Sequence, residues 1–216
     1  IGETLITGIG QGYTQTTPLQ LCLMTAQLAN GGFKIYPKII VEENDKTSEN
    51  IKLLMNKNSE NLDEKNDELK ETSELLSFIN KEKHERLFKN FKNIKLVREA
   101  MFASTNEVRG TSYSSRIEDP KYQFAGKTGT SQVKRITKLD RELDLKTFEI
   151  PYNERDHALY IAFGPYKNPR YALSIVIEHG GSGSSAAAPM AKKLFKLIID
   201  RHELREKTKT QKKIEI

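Results

Sequence analysis

The run "FAGKTGTSQV", residues 124–133, sets one lysine among small residues and hydroxyls on a stretch that reads as a strand. Lys127 offers a cation, Thr128 and Thr130 offer hydroxyls, and Gly129 leaves the backbone bare between them. Such a set suits recognition, and it raises the question of which nucleophile it would serve. By itself Lys-Thr-Gly-Thr is more often a strand-turn element with a solvated lysine, so the rest of the chain has to decide.

Other residues with chemical potential carry less. His84, His157, His179 and His202 show no metal-ligand spacing and have no cysteine partner, which favours structural or surface roles. Cys22, the single cysteine, excludes an internal disulfide and sits among apolar residues in "LQLCLMTAQL", where a small core residue is the expectation. The run "HGGSGSS" has the look of a phosphate-cradling loop but lacks the lysine placement of a Walker motif, and it reads as a tight turn into a helix.

The elements that must position these groups fit a chain of 216 residues with 37% hydrophobic content, enough for one sizeable core or one core carrying a long insertion. Apolar runs such as "ALYIAF" and "LFKLII" fall far short of the roughly 20 residues of a membrane helix. The opening "IGETLITGIG" lacks the basic and apolar regions of a signal peptide, so export would require targeting from outside these residues. The net charge of +6 does not indicate a nucleic-acid partner. From Glu42 to Glu71 there are ten acidic residues against five lysines, while from Lys192 onward nine Lys/Arg face four acids with no aromatic beyond Phe195. The excess of positive charge therefore lies mostly from Lys192 onward, ending in a basic tail, residues 206–216, without the aromatic interleaving of a nucleic-acid surface.

In "TTPLQLCLMTAQLANGG", Thr17 can cap a helix, Pro18 suits its first position and Gly31-Gly32 can supply a left-handed exit. The nearly all-round apolar character of this helix predicts burial. The stretch "FKIYPKIIVE" reads as extended, and residues 42–80 shift to Lys, Glu, Asn and Asp, a polar insertion expected to be largely solvated. Phe88, Phe91, Ile94, Val97 and Met101 recur at helical spacing in "RLFKNFKNIKLVREAMFAST". The strand bearing Lys127 follows, then "HALYIAFGPY" and "YALSIVIEH" as a hairpin about the turn "KNPR", and then a helix "APMAKKLFKLIIDRHEL" with an alanine face and a Leu194, Leu197, Ile198 stripe to lay on a sheet. The predicted fold is α+β, an antiparallel sheet with packed helices.

Three blocks in order, "GIGQGYTQTTPLQLCLMTAQLANGG", "AGKTGTSQV" and "YIAFGPYKNPRYALSIVIEHGGSGSSAAAPMAKKL", together resemble the C-terminal part of the transpeptidase domain of class B penicillin-binding proteins, with the penicillin-binding protein 2 branch as the nearest likeness. The blocks cover about half the chain, and Lys-Thr-Gly belongs to the signature of such enzymes and of class A β-lactamases. The resemblance implies a penicillin-binding or serine β-lactamase-like fold, with residues 1–205 as the C-terminal portion of the domain. It implies that Lys127, Thr128, Gly129 and Thr130 bind the terminal carboxylate and backbone of a D-Ala-D-Ala peptide, with Lys127 and Thr130 also serving catalysis. Lys127 would order proton transfer beside an active serine, and the Thr130 backbone N–H would complete an oxyanion hole, a device generally worth about 3 kcal/mol of barrier.

The nucleophile of that family is the serine of a Ser-x-x-Lys motif that opens a buried helix, followed by a Ser-x-Asn or Ser-x-Asp motif, both upstream of the first block. Ser131-Gln-Val-Lys134 fits the first pattern only formally, because it continues the Lys-Thr-Gly strand. Ser48-Glu-Asn50, Ser59-Glu-Asn61 and Ser104-Thr-Asn106 are likewise expected to be decoys. The expected function is thus the substrate-holding half of a peptidoglycan D,D-transpeptidase of elongation, acting through an acyl-enzyme and inactive as these residues alone. A binding or scaffold fragment and a serine β-lactamase are the alternatives. The resemblance implies no metal or organic cofactor. It implies as partners the peptidoglycan stem peptide, β-lactams, the N-terminal half of the same protein and a membrane glycosyltransferase, on the periplasmic face of the inner membrane.

Overall fold

Alternation of small and aromatic residues builds the centre of the molecule. The computed structural model describes residues 2–8, 10, 12, 14–38, 85–88, 90–134, 142 and 145–214. Three strands, β1 (Ala125–Ser131), β2 (His157–Gly164) and β3 (Tyr171–Ile177), form an antiparallel sheet in the order β1-β2-β3. Because successive side chains on a strand point to opposite faces, β2 sends Ala158, Tyr160 and Ala162 to one side, all fully buried. Those residues pack with Phe124, Leu173 and, from the last helix, Ala188, Ala191 and Phe195. Phe124 stacks on Phe195 with ring centroids 4.9 Å apart. Ala125 and Phe163 point to the opposite side and pack with Ala29 and Met101 of two further helices. The sheet is therefore covered by helices on both faces, and burial of each large aromatic contributes about 1.5–3 kcal/mol.

Four α-helices are described: α1 (Gly2–Gly8), α2 (Pro18–Ala29), α3 (Phe91–Asn106) and α4 (Ala188–Ile214). Helix α2 starts as its sequence dictates. Thr17 accepts from the Gln20 backbone N–H at 3.2 Å, while the Gln20 side chain accepts from the Thr17 N–H at 2.8 Å, a reciprocal cap with Pro18 in the first turn. Gly31 and Gly32, with φ of 95° and 91°, supply the left-handed exit. The burial predicted for α2 is met on one face only. Thr25 and Ala29 are buried, Cys22 Sγ lies 3.5 Å from the Ala172 carbonyl, and Leu19 stays 64% exposed. Cys22 is half-buried, and burial raises its thiol above its ordinary pKa, which disfavours the thiolate.

Two helical stripes differ from expectation. Helix α3 begins at Phe91 behind an Asn90 cap, so Phe88 lies outside it. Ile94, Met101 and Thr105 face inward, whereas Phe91 and Val97 are exposed. In α4 the buried line is Ala188, Ala191, Phe195 and Ile199, at spacings of three and four, which turns Leu194 and Leu197 outward. The alanines permit close approach to the sheet, and that fixes the rotation of the helix. The turn at "GGSGSS" becomes a π-helical turn, Gly183–Ala187, leading directly into α4, and α4 runs on through most of the basic tail.

The chain divides into two compact units, residues 1–32 with 90–216, and residues 33–89. In the second unit, Phe33 forms an isolated bridge with Arg86 and Lys34 pairs with Glu85 at 2.8 Å. These are the described parts of the expected extended segment and its surroundings. The polar insertion, residues 42–80, with Ser48 and Ser59, lies outside the described residues, as does His84.

Candidate functional site

Strand β1 is an edge strand among the described residues, paired on one side with β2 through Lys127 opposite Ile161, Thr128 opposite Tyr160, Gly129 opposite Leu159 and Thr130 opposite Ala158. Pairing on one side leaves the other side's backbone groups available to an incoming chain. The Lys127 ammonium folds back along its own strand, donating to the Thr128 carbonyl at 2.8 Å and lying 3.5 Å from Thr128 Oγ1. Lys127 and Thr130 are exposed, and Thr128 and Gly129 are half-buried. The four residues singled out from the sequence thus stand contiguous on an accessible edge, with a cation and a hydroxyl within hydrogen-bonding reach of each other.

What holds this edge in place was not legible beforehand. Gly126 is required because a Cβ there would meet Tyr160 Oη at 2.4 Å and its ring carbons at 2.5 and 2.7 Å. The Tyr160 ring fills that space with no exposed surface, and its hydroxyl bonds Thr105 Oγ1 at 2.9 Å and Ser112 Oγ at 3.0 Å. Thr105 also accepts from the Gly126 N–H at 3.0 Å, tying the strand to the end of α3. Burial pushes the Tyr160 phenol above its ordinary pKa, opposed by the bonds to Ser112 and Thr105. A second support lies behind Gly129, where Gly183 packs so closely that a Cβ would stand 2.6 Å from the Gly129 carbonyl and 2.4 Å from that of Leu159.

Two of the serine motifs lie among the described residues. Ser131 ends β1 opposite His157 and does not open a helix, while Lys134 Nζ bonds Glu154 Oε2 at 2.6 Å. Ser104, Thr105 and Asn106 form the last turn of α3 itself. The Asn106 amide donates to the carbonyls of Phe102 and Phe124 at 3.0 and 2.9 Å, joining the helix to the approach of β1. His157 and His179 are neighbours, with ring centroids 4.8 Å apart, and the His179 N–H donates to His157 Nδ1 at 2.9 Å. His202 Nε2 lies 2.7 Å from Arg170 Nη2. Among the described residues no cluster of three or more His, Cys, Asp or Glu is placed to hold a metal, and no helix is long and apolar enough to cross a membrane.

A family model described as the penicillin binding protein transpeptidase domain matches residues 2–196. Peptidoglycan D,D-transpeptidase MrdA of Salmonella typhimurium is 32% identical over 201 residues, which is 92% of this chain and 27% of the relative. The MrdA of Haemophilus influenzae is 29% identical over 199 residues, 92% of this chain and 26% of that protein. The chain therefore spans about a quarter of the length of the curated relatives it matches. Among solved structures, penicillin-binding protein 2 of Pseudomonas aeruginosa aligns at TM-score 0.55 and 30% identity, covering 88% of this chain and 31% of that one. Penicillin-binding protein 2 of Helicobacter pylori, solved in complex with MreC, aligns at TM-score 0.57 and 27% identity, over 91% of this chain and 28% of that one. These relatives are penicillin-binding protein 2 and MrdA chains, and with a match across nearly the whole chain and an antiparallel sheet flanked by helices, the chain belongs to the penicillin-binding protein transpeptidase domain family.

Proposed function

We propose that these residues form the substrate-holding part of a peptidoglycan D,D-transpeptidase that cross-links the cell wall during elongation. The observation that carries this reading is the exposed edge of β1, where the Lys127 ammonium and Thr128 hydroxyl lie 3.5 Å apart beside Gly129, in a chain of this family. A stem peptide ending in D-Ala-D-Ala would add to the edge by main-chain hydrogen bonds. Its terminal carboxylate would meet Lys127 and the hydroxyls of Thr128 and Thr130. β-Lactams present a carboxylate of the same kind. On this reading the acyl-enzyme forms on a serine outside these residues, and the place of Ser131 on the strand, with Lys134 paired to Glu154, supports it. The complete protein then works on the periplasmic face of the inner membrane beside a membrane glycosyltransferase. Residues 1–205 act as the C-terminal portion of the domain, with 42–80 inserted into it.

Fluorescent penicillin tests this directly. The 216-residue chain should take up no covalent label, whereas a form carrying the family's Ser-x-x-Lys segment should label. Lys127→Ala in that form should slow acylation by about two orders of magnitude, as expected for losing a charge-assisted contact worth about 3 kcal/mol. Label mapped by mass spectrometry to Ser131 of the 216-residue chain would overturn the assignment.

A further inference from the structure

Thr128 has a second hydroxyl neighbour besides its contact with Lys127. Thr111 Oγ1 lies 3.3 Å from Thr128 Oγ1, and on its other side it lies 3.2 Å from Ser104 Oγ. A line of polar groups thus runs from Lys127 through Thr128 and Thr111 to the last turn of α3. An ammonium can only donate, so the Lys127 contact occupies one lone pair of Thr128 Oγ1. When Thr111 donates into the other, Thr128 has filled its acceptor capacity and its own proton is left for an anion.

The loop that carries Thr111 is fixed by its two neighbours, not by Thr111. Gly110 sits where a Cβ would come within 2.4 Å of the Ser104 carbonyl and 2.5 Å of that of Ala103, so the loop backbone lies directly on the end of α3. Ser112 donates to the Ser104 carbonyl from both its backbone N–H and its hydroxyl, each at 3.0 Å, and bonds the buried Tyr160 hydroxyl. Between these two anchors Thr111 is exposed.

We infer that Thr111 is a positioning residue for ligand carboxylates, orienting the Thr128 hydroxyl as a donor by donating to it. The inference rests on the reading of β1 as the carboxylate-binding strand. Its scope is specificity for ligands bearing that carboxylate, since an ester in its place accepts only a weaker, neutral hydrogen bond from Thr128.

The test compares acylation rate constants for a penicillin and its methyl ester, in the form of the protein that carries the Ser-x-x-Lys segment. Thr111→Val removes the hydroxyl at nearly constant volume, and it should lower the acid-to-ester rate ratio about tenfold, the scale of one hydrogen bond to a charged group. Thr111→Ser should restore the ratio to within about twofold, because the hydroxyl returns. Ser104→Ala leaves every backbone anchor of the loop in place and should lower the ratio about threefold, by weakening the line from its far end. An unchanged ratio in Thr111→Val, or equal loss for acid and ester, overturns the inference. A Thr111→Val protein that does not fold refutes the independence of the loop anchors, and Ser104→Ala then decides the hydroxyl line. Lys127→Ala separates the two levels of argument: if it too leaves the acid-to-ester ratio unchanged, the reading of β1 fails, and if it alone collapses the ratio, only the role of Thr111 fails.

Discussion

Substituting Gly183 by alanine probes the support behind strand β1. The new Cβ would stand 2.4 Å from the Leu159 carbonyl oxygen, 2.6 Å from that of Gly129 and 3.1 Å from the Gly129 nitrogen. All three are backbone atoms of the sheet, so no side-chain rotation can relieve the contact. The start of α4 or the two paired strands must shift instead. Overpacking of this kind costs typically about 1–3 kcal/mol, and the double backbone contact places Gly183→Ala near 3 kcal/mol. For a chain of this size that corresponds to a fall in melting temperature of roughly 6–12 °C. Gly129→Ala is the internal control. Its Cβ would meet nothing nearer than Leu159 Cβ at 3.3 Å, a contact met by a few tenths of an ångström of give. Replacing a strand glycine by alanine also recovers about 0.5–1 kcal/mol of backbone entropy, so the net change should be close to zero. Thermal unfolding of the 216-residue chain by circular dichroism measures both. A Gly183→Ala protein melting within about 2 °C of the parent, or a Gly129→Ala protein melting lower than Gly183→Ala, would refute the reasoning, since about 2 °C is less than 1 kcal/mol here.

Tyr160→Phe strips the partner from Thr105 and Ser112 in a buried place and should cost about 1–3 kcal/mol at neutral pH by urea titration. The pH dependence has a definite sign. The folded-state phenol is raised above its unfolded value, so its contribution is whole below about pH 10 and is lost as pH climbs through the folded value. Parent stability should therefore fall on the alkaline side more steeply than that of Tyr160→Phe, and parallel alkaline curves would contradict the burial argument. Phe195→Ala empties the space between α4 and Phe124 and should cost about 3–5 kcal/mol with an unchanged urea m-value, whereas a loss below about 1 kcal/mol would mean that the helix is not seated on the sheet.

Local signals were readable where one short stretch of sequence decides the structure. Thr17, Gln20 and Pro18 specify the start of α2 within four residues, and the two halves of the β2-β3 hairpin are separated only by a short turn. The Lys-Thr-Gly-Thr strand was legible for the same reason. Rotation of a helix about its axis was harder to read. Leu194 and Leu197 are as apolar as Phe195, and the close approach allowed by Ala188 and Ala191 chose between the faces. Extension of the helical pattern back to Phe88 failed because Asn90 caps the helix in an extended conformation, a local hydrogen-bonding choice that periodicity does not register. The supports of the site were invisible. Tyr160 meets Thr105 and Ser112 across 55 and 48 positions, and Thr111 meets Thr128 across 17. Hydroxyl pairs at such separations leave no periodic trace, and in sequence "RGTSYSS" is only a polar loop.

The side of β1 away from β2 carries a liability as well as the proposed function. Only alternate residues of Ala125–Ser131 turn their backbone groups away from β2, Gly126 already donates to Thr105, and among the described residues no strand or proline shields the rest of that edge, where two of the seven residues are glycines. Natural sheets usually blunt such an edge with a bulge, a proline or inward-facing charge, because an open strand pairs with any other extended strand, including one from another copy of itself. An edge that must accept a peptide cannot be closed in those ways without losing its purpose. The charge of Lys127 is then the protection compatible with the proposed binding: it repels a second copy bringing the same lysine in register, and would attract a peptide that ends in a carboxylate. On the proposed reading one side chain sorts substrate from self, and Lys127→Ala should leave the 216-residue chain more prone to associate with itself, a change that light scattering measures.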